Sequence, residues 1–153
     1  MGAGSNGGSR RGAEIAALAA QLESVLDKHQ EVLEAYLFGS RATGRNLPTS
    51  DIDVAVYVDC SRVSDVEFGY GAALGADLMS ALGTNRVDLV VLNEAPPVLY
   101  HRVLRDGIRL ISRDPASTTT REGQALSRYC DFVPQMAKID KAMRARQPDA
   151  KKP

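Results

Sequence analysis

The sequence is poor in the residues that build thiolate metal sites and disulfide frameworks. Its 153 residues include two cysteines and two histidines. Cys60 and Cys130 are far apart and share no motif, so we expect two free thiols in a reducing cytosol. His29 and His101 are equally scattered, which argues against a zinc site of the Cys/His type.

Long apolar runs and a surplus of one charge are also absent. No stretch approaches the roughly 20 apolar residues of a membrane-spanning helix, and the N-terminus lacks the apolar segment of a secretory signal. Lys+Arg and Asp+Glu both number 19, so the formal net charge is zero. A dedicated nucleic-acid binder usually carries a basic surplus. These absences predict a cytoplasmic protein. They also predict that it does not bind a membrane and does not bind nucleic acid directly.

The length of 153 residues fits one domain with a single core. The apolar content of 44% and the charged content of 25% are normal for a globular protein. Residues 1–12 are rich in Gly and Ser and predict a disordered leader. A single domain is expected over residues 13–147, followed by a frayed tail over 148–153.

Hydrophobic periodicity predicts eight elements. They are helix 13–29, strand 32–38, strand 52–58, helix 65–82, strand 87–92, a helix from Asn93 to Gly107, strand 108–111 and helix 121–146. This order predicts an α/β or α+β fold with a small mixed sheet of about four strands, helices on one side and a long C-terminal helix. In that last helix, Thr119 and Glu122 form a candidate capping box, and Pro134 is expected to kink or split it.

Two short motifs lie at the ends of neighbouring predicted strands. Gly39-Ser40 ends the first strand, ten residues follow, and Asp51-Ile52-Asp53 opens the second strand. Side chains at i and i+2 share one face of a strand, so Asp51 and Asp53 stand side by side. Their repulsion is relieved by a raised pKa or by a cation, and Mg²⁺ commonly binds one or two carboxylates together with substrate phosphates.

A third carboxylate and a phosphate-binding turn complete the candidate site. Asp88 lies among apolar residues of the next predicted strand, where an acid needs a partner. If the strands are neighbours, three carboxylates converge as in two-metal sites. Gly39 would let the backbone approach a phosphate. Arg41 and Arg45 are placed to neutralise phosphate charge. Each motif alone is weak evidence, and Asp88 alone reads equally well as a structural acid; the combination favours a site.

The pattern of Gly39-Ser40, ten residues and Asp51-Ile52-Asp53 resembles the signature of the DNA polymerase β-like nucleotidyltransferase superfamily. Asp88 matches the third carboxylate of that superfamily by position. The segments LFGSRATG and SDIDVAV resemble the minimal nucleotidyltransferase (MNT) domain, and the resemblance covers residues 32–111.

The resemblance implies a nucleotidyltransferase fold and transfer of AMP from ATP to a hydroxyl group, with release of pyrophosphate. Asp51, Asp53 and Asp88 would be the catalytic residues and would hold two Mg²⁺ ions, and Asp88 would also help to deprotonate the acceptor. The nucleotide-binding residues that the resemblance implies are Gly39, Ser40 and Arg41.

MNT proteins of this length are similar to antitoxins of two-gene modules whose toxin is a HEPN-domain ribonuclease. The resemblance implies AMP transfer to a tyrosine of such a toxin. The apolar residues of helix 121–146 wrap widely round it, which indicates a hetero-oligomer formed through this helix, although a helix that merely covers the sheet explains most of them equally well. Two other functions stay open: a small-molecule, aminoglycoside-type nucleotidyltransferase, and a non-catalytic antitoxin that neutralises by docking.

Overall fold

The described residues form four strands and five α-helices. The computed structural model describes residues 6–45, 49–63 and 69–146. The strands are β1 (Val32–Phe38), β2 (Ile52–Val58), β3 (Val87–Val91) and β4 (Ile108–Ser112). The helices are α1 (Asn6–Leu26), α2 (Ser40–Thr43), α3 (Gly71–Leu82), α4 (Pro97–Asp106) and α5 (Pro115–Arg146). Within these ranges, no helix has both the length and the apolar character needed to cross a bilayer.

The strands form the mixed four-stranded sheet that the sequence predicts. Their order is β3-β2-β1-β4. β1 is antiparallel to both β2 and β4, whereas β3 runs parallel to β2. β1 and β2 occupy the centre and are almost wholly buried, which suits their β-branched and aromatic residues.

Helices cover both faces of the sheet, so the predicted cover on one side was wrong. Val54, Ala55 and Val56 of β2 are all fully buried. Consecutive side chains point to opposite faces of a strand, so both faces are apolar and each needs a cover. α1 and α3 supply one cover, with Leu22, Leu26, Leu74 and Leu78. α4 and α5 supply the other, with Tyr100, Val103 and Ala125 packed on Tyr36 and Phe38.

The first helix begins at Asn6 rather than at Ala13, so the predicted disordered leader was wrong for residues 6–12. Extending a formed helix costs much less than starting one, and this offsets the poor helix propensity of the glycines there. Arg11 also donates a hydrogen bond to the carbonyl oxygen of Gly44 (3.3 Å). Residues 1–5 lie outside the described part of the chain.

Other boundaries shift modestly. β1 and β2 match their predicted limits. α3 begins at Gly71, after the described residues 69–70, and residues 64–68 lie outside the described ranges. α4 begins at Pro97, because residues 92–94 form a separate 3₁₀ turn. α2 was not predicted. The tail over 148–153 also lies outside the described residues.

The last helix begins earlier than predicted, and the Thr119 capping box was wrong. The carboxylate of Asp114 caps α5: it accepts hydrogen bonds from the Ala116 N–H (3.2 Å) and the Ser117 hydroxyl (2.6 Å). Pro115 then takes a first-turn position, where its missing N–H costs nothing. Thr119 instead donates to the Pro115 carbonyl inside the helix (2.9 Å).

Pro134 does not split α5, which is assigned as one continuous helix. A proline removes one helical hydrogen bond and leaves the carbonyl four residues earlier without its usual donor. That carbonyl belongs to Cys130, and both residues are exposed. Water can therefore bind the freed oxygen, and the helix continues on both sides.

The Asp114 cap predicts a pH-dependent stability. The Ser117 hydrogen bonds hold the pKa of Asp114 below its usual value of 3.8. A lowered pKa contributes stability that is present above 3.8 and is lost as pH falls through the folded-state value. We expect Asp114→Ala to lower the urea midpoint at neutral pH, with the gap to wild type closing in acid. Asp131→Ala, exposed in the same helix, should not show this pH-dependent gap, and a gap that stays constant with pH would contradict the assignment.

Candidate active site

At the end of β1, the backbone of Gly39 lies against the carboxylate of Asp53. Phe38 pairs with Asp53 of β2, and Gly39 follows with φ +74°, which favours glycine. A Cβ on Gly39 would overlap Oδ2 of Asp53 and lie 3.0 Å from its Cγ. The Asp53 carboxylate therefore lies directly over the Gly39 backbone, which explains why the motif requires glycine.

The three predicted carboxylates gather at one corner of the sheet. The parallel register of β2 and β3 places Asp53 opposite Asp88, and neighbouring strands lie about 4.8 Å apart. Asp51 lies two residues before Asp53 and shares its face by strand alternation. Asp51 and Asp88 are exposed, whereas Asp53 is partly buried. The structure thus makes β3 the neighbour of β2, as the prediction for Asp88 required.

The surroundings of Asp53 disfavour the ionised form of its carboxyl group. Burial raises the pKa of this carboxyl above its usual value, and the charges of Asp88 and Asp51 raise it further. The site therefore disfavours three negative charges in the absence of a cation. A divalent ion placed among these groups would relieve the repulsion.

Mg²⁺ fits the chemistry of this corner. Among the described residues, no group of three or more Asp, Glu, His or Cys side chains is already placed to hold a metal ion. Mg²⁺ does not need such a cage, because it keeps several waters and commonly binds one or two carboxylates plus substrate phosphates. The side chains at this corner offer oxygen donors alone, which match that preference.

Arginines hold the segment that leads into the Asp-x-Asp motif. Arg41 donates from Nε and Nη2 to the Ser50 carbonyl oxygen (3.3 and 3.0 Å). Arg86 donates from Nη1 to the Thr49 carbonyl oxygen (2.6 Å). Both contacts fix the backbone just before Asp51. The sequence analysis did not predict these hydrogen bonds of Arg41, and it missed Arg86. Arg86 belongs to no sequence motif, and it reaches this segment because β2 and β3 are neighbours.

Ser40 begins α2, directly after Gly39. Its carbonyl oxygen accepts a hydrogen bond from the Arg45 N–H (3.0 Å), which closes the turn. The Arg45 charge lies near Asp106, whose pKa is lowered first by its hydrogen bonds from Arg105 and to a smaller extent by Arg45. Arg45 therefore lies on the β4 side of the Gly-Ser turn, away from Asp88.

A cavity of about 420 Å³ lies beside β1 on the α4–α5 face, which is also the face of Asp53. Sequence reasoning missed it because its walls come from β1, α4, β4 and α5 and share no motif. Its lining includes Tyr36, His101, Arg105, Arg109 and Glu122.

Replacing Gly39 should damage both the fold and the site. Gly39→Ala adds backbone strain at positive φ and pushes a methyl group into the Asp53 carboxylate, so we expect a loss of roughly 2–4 kcal/mol in the free energy of unfolding. Gly44→Ala is the matched control: its φ is also +74°, and nothing lies within 4 Å of the added Cβ. It should cost only about 1 kcal/mol of backbone strain. Equal losses in the two variants, measured by urea unfolding, would rule out the Asp53 contact as the cause.

Residues 20–116 match the family model "Polymerase beta, Nucleotidyltransferase". The match spans more than half of the chain and includes the Gly-Ser turn and all three aspartates. The chain therefore belongs to this family and is a nucleotidyltransferase. No protein with a curated description matches it.

Solved toxin–antitoxin complexes contain chains similar to this one. A chain of a toxin-antitoxin with AMP-PNP is 28% identical; the alignment covers 82% of this chain and 98% of that one, with a TM-score of 0.67. A chain of a complex between tri-AMPylated Shewanella oneidensis HEPN toxin and MNT antitoxin is 26% identical, with coverages of 84% and 98% and a TM-score of 0.64. A chain of a toxin-antitoxin MntA-HepT complex is 27% identical, with coverages of 83% and 97% and a TM-score of 0.62. The predicted resemblance to MNT antitoxins and the nucleotidyltransferase fold are confirmed.

Proposed function

We propose that this nucleotidyltransferase transfers AMP from ATP to the hydroxyl group of a tyrosine on a HEPN-family toxin, and so acts as its antitoxin. The observation that carries the proposal is the corner where Asp51, Asp53 and Asp88 meet beside the Gly-Ser turn. Two similar complexes support it: one contains an ATP analogue, and in the other the HEPN toxin is AMPylated.

In the proposed reaction, the acceptor oxygen bonds to the α-phosphorus of ATP. The bond between that phosphorus and the bridging oxygen to the β-phosphate breaks, and pyrophosphate leaves. The hydroxyl proton passes to a carboxylate, for which Asp88 is suited because it is exposed on the edge strand β3. Positioning and charge neutralisation would supply most of the acceleration.

Asp51, Asp53 and Asp88 would hold Mg²⁺, with two ions as the full complement. When bound, these ions neutralise phosphate charge and activate the attacking oxygen. Burial and the charges of Asp88 and Asp51 raise the pKa of Asp53, and this supports the role, because a nearby cation would stabilise the ionised carboxylate.

The Gly-Ser turn would receive the triphosphate. Gly39 has no side chain to block the approach of a phosphate, and Ser40 offers its hydroxyl and N–H. Arg41 would add positive charge while its hydrogen bonds to Ser50 fix the segment before Asp51. We place this activity in the cytoplasm, where ATP is plentiful; Cys60 and Cys130, both exposed and free, suit a reducing compartment.

ATP labelled at different phosphates tests the reaction class. The chain is incubated with Mg²⁺, a purified HEPN-type partner, and ATP labelled on the α- or the γ-phosphorus. The proposal expects α-label on the partner, γ-label in released pyrophosphate, and no transfer in the presence of EDTA. Transfer of γ-label to the partner would indicate a kinase instead. Transfer to a small aminoglycoside but not to protein would favour the small-molecule alternative.

A further inference from the structure

The C-terminal part of α5 has no partner within the described chain. Its buried residues, Thr118 and Ala125, both lie in the first half of the helix. From Phe132 to Arg146 no side chain of the helix is buried. Large apolar side chains there are strongly exposed: Ile139 by 53% and Met143 by 66%. Apolar surface of this kind marks an interaction site when it is contiguous.

Half-buried and exposed apolar residues of this part of the helix form one continuous seam. Tyr129, Phe132, Met136, Ile139 and Met143 are separated by steps of three, four, three and four residues, which is the heptad spacing of helix-to-helix contacts. We call these five residues the α5 seam. A groove of about 590 Å³ runs along it and is also lined by Val133 and Ala137.

The first residue of the seam is already engaged in helix packing. The Tyr129 ring stacks on His101 of α4, with centroids 3.7 Å apart and planes 4° from parallel. The same alternation of three and four residues leads back from Tyr129 to the buried Ala125. The face of α5 that packs on the domain therefore continues past α4, where none of the residues that the structure describes covers it. Apolar residues that alternate in steps of three and four are the pattern by which two helices pack along each other.

Charge indicates which helix would fit. From Tyr129, where the seam begins, to Arg146 the chain carries four basic residues and two acids, so its net charge is +2. Asp140, the acid that lines the groove, already pairs with Arg144 (2.9 Å). Two copies of this segment would repel each other, whereas a helix with acidic flanks would be attracted and steered towards the seam.

We propose that the α5 seam docks an amphipathic, acid-flanked helix of the HEPN-type toxin. The identity of the partner rests on the proposed function. The first half of α5 packs on the sheet face that carries Asp53. Docking along the same helix therefore holds the acceptor near the carboxylates and converts its transfer step into an intramolecular one, at a high effective concentration.

Lysine substitutions on two sides of the helix test this proposal. Ile139→Lys and Met143→Lys place a charge in the seam, and Ala145→Lys adds the same charge to an exposed position outside it. Circular dichroism should show unchanged helix content and unfolding for all three variants. The dissociation constant for the purified toxin is measured by calorimetry, and transfer of α-label from ATP is measured on the same samples.

We expect each seam variant to bind the toxin at least tenfold more weakly than wild type, while Ala145→Lys stays within about twofold. Wild-type binding by the seam variants overturns the docking proposal, whether or not label is transferred. A wild-type dimer that the seam variants dissociate also overturns it, because a second copy is then the occupant. Normal toxin binding by wild type without any label transfer refutes the proposed chemistry and leaves the docking result to stand by itself.

Discussion

Asp53→Asn should reduce AMP transfer by about three orders of magnitude or more, because the carboxylate that lies between the Gly-Ser turn and Asp88 is lost. The substitution keeps the size of the side chain and removes its charge. Burial and, to a smaller extent, the charges of Asp88 and Asp51 raise the pKa of Asp53 in the folded chain, and a neutral asparagine avoids the cost of a charge there. The free energy of unfolding should therefore be unchanged or higher, by no more than about 1 kcal/mol. Single-turnover label transfer and urea unfolding measure the two effects.

The opposite movement of activity and stability separates a catalytic Asp53 from a structural one. Asp77→Asn is the matched control, because Asp77 is exposed on α3 and lies on the other face of the sheet. It should leave transfer unchanged. Unfolding of Asp53→Asn under native conditions would show that the carboxylate holds the fold together, and the catalytic assignment would then be wrong.

Arg121→Met should lower the free energy of unfolding by about 3–5 kcal/mol, because it leaves a buried carboxylate without its cation. Glu34 on β1 is fully buried. Its Oε1 contacts Arg121 Nε, and its Oε2 accepts a hydrogen bond from the Tyr36 hydroxyl (3.2 Å). Arg121 also lies over the ring of Tyr57, 4.8 Å from the centroid. This buried pair ties α5 to the centre of the sheet. Thermal and urea unfolding of the purified variant measure the loss.

A double substitution distinguishes the buried charge from lost packing. Glu34→Met with Arg121→Met removes both charges and keeps much of the apolar volume, so it should recover most of the stability that Arg121→Met loses. Arg128→Met, exposed on the same helix, should change the free energy of unfolding by less than about 0.5 kcal/mol. If the double variant is less stable than Arg121→Met, the loss comes from packing and not from an unpaired carboxylate.

The central strands and the site motifs were predictable because their signals are local. The limits of β1 and β2 follow from unbroken apolar runs that end at Gly39 and begin after Asp51. The meeting of Asp53 with the Gly-Ser turn follows from strand ends, and its pairing with Asp88 required only that β3 lie beside β2. Each step depends on the two-residue period of strands, which the sequence displays directly.

Features that depend on distant contacts were predicted poorly. The helix over residues 6–12 lacks an apolar pattern, and one of its contacts is made by Arg11 to the distant Gly44. The helices on both sheet faces follow from burial of Ala55 as well as of its valine neighbours, and alanine carries little hydrophobic signal of its own. Glu34 and Arg121 are ordinary charged residues in the sequence until the fold brings them together.

The proposed antitoxin activity and its main alternative, neutralisation by docking alone, differ in one covalent product. The most direct measurement is the intact mass of the toxin after co-expression with this chain, compared with co-expression alongside the Asp51→Asn, Asp53→Asn variant. We predict that toxin neutralised by the wild-type chain gains the mass of one or more AMP groups, and that the variant adds none and neutralises poorly. An unmodified toxin that both proteins neutralise equally would contradict the account.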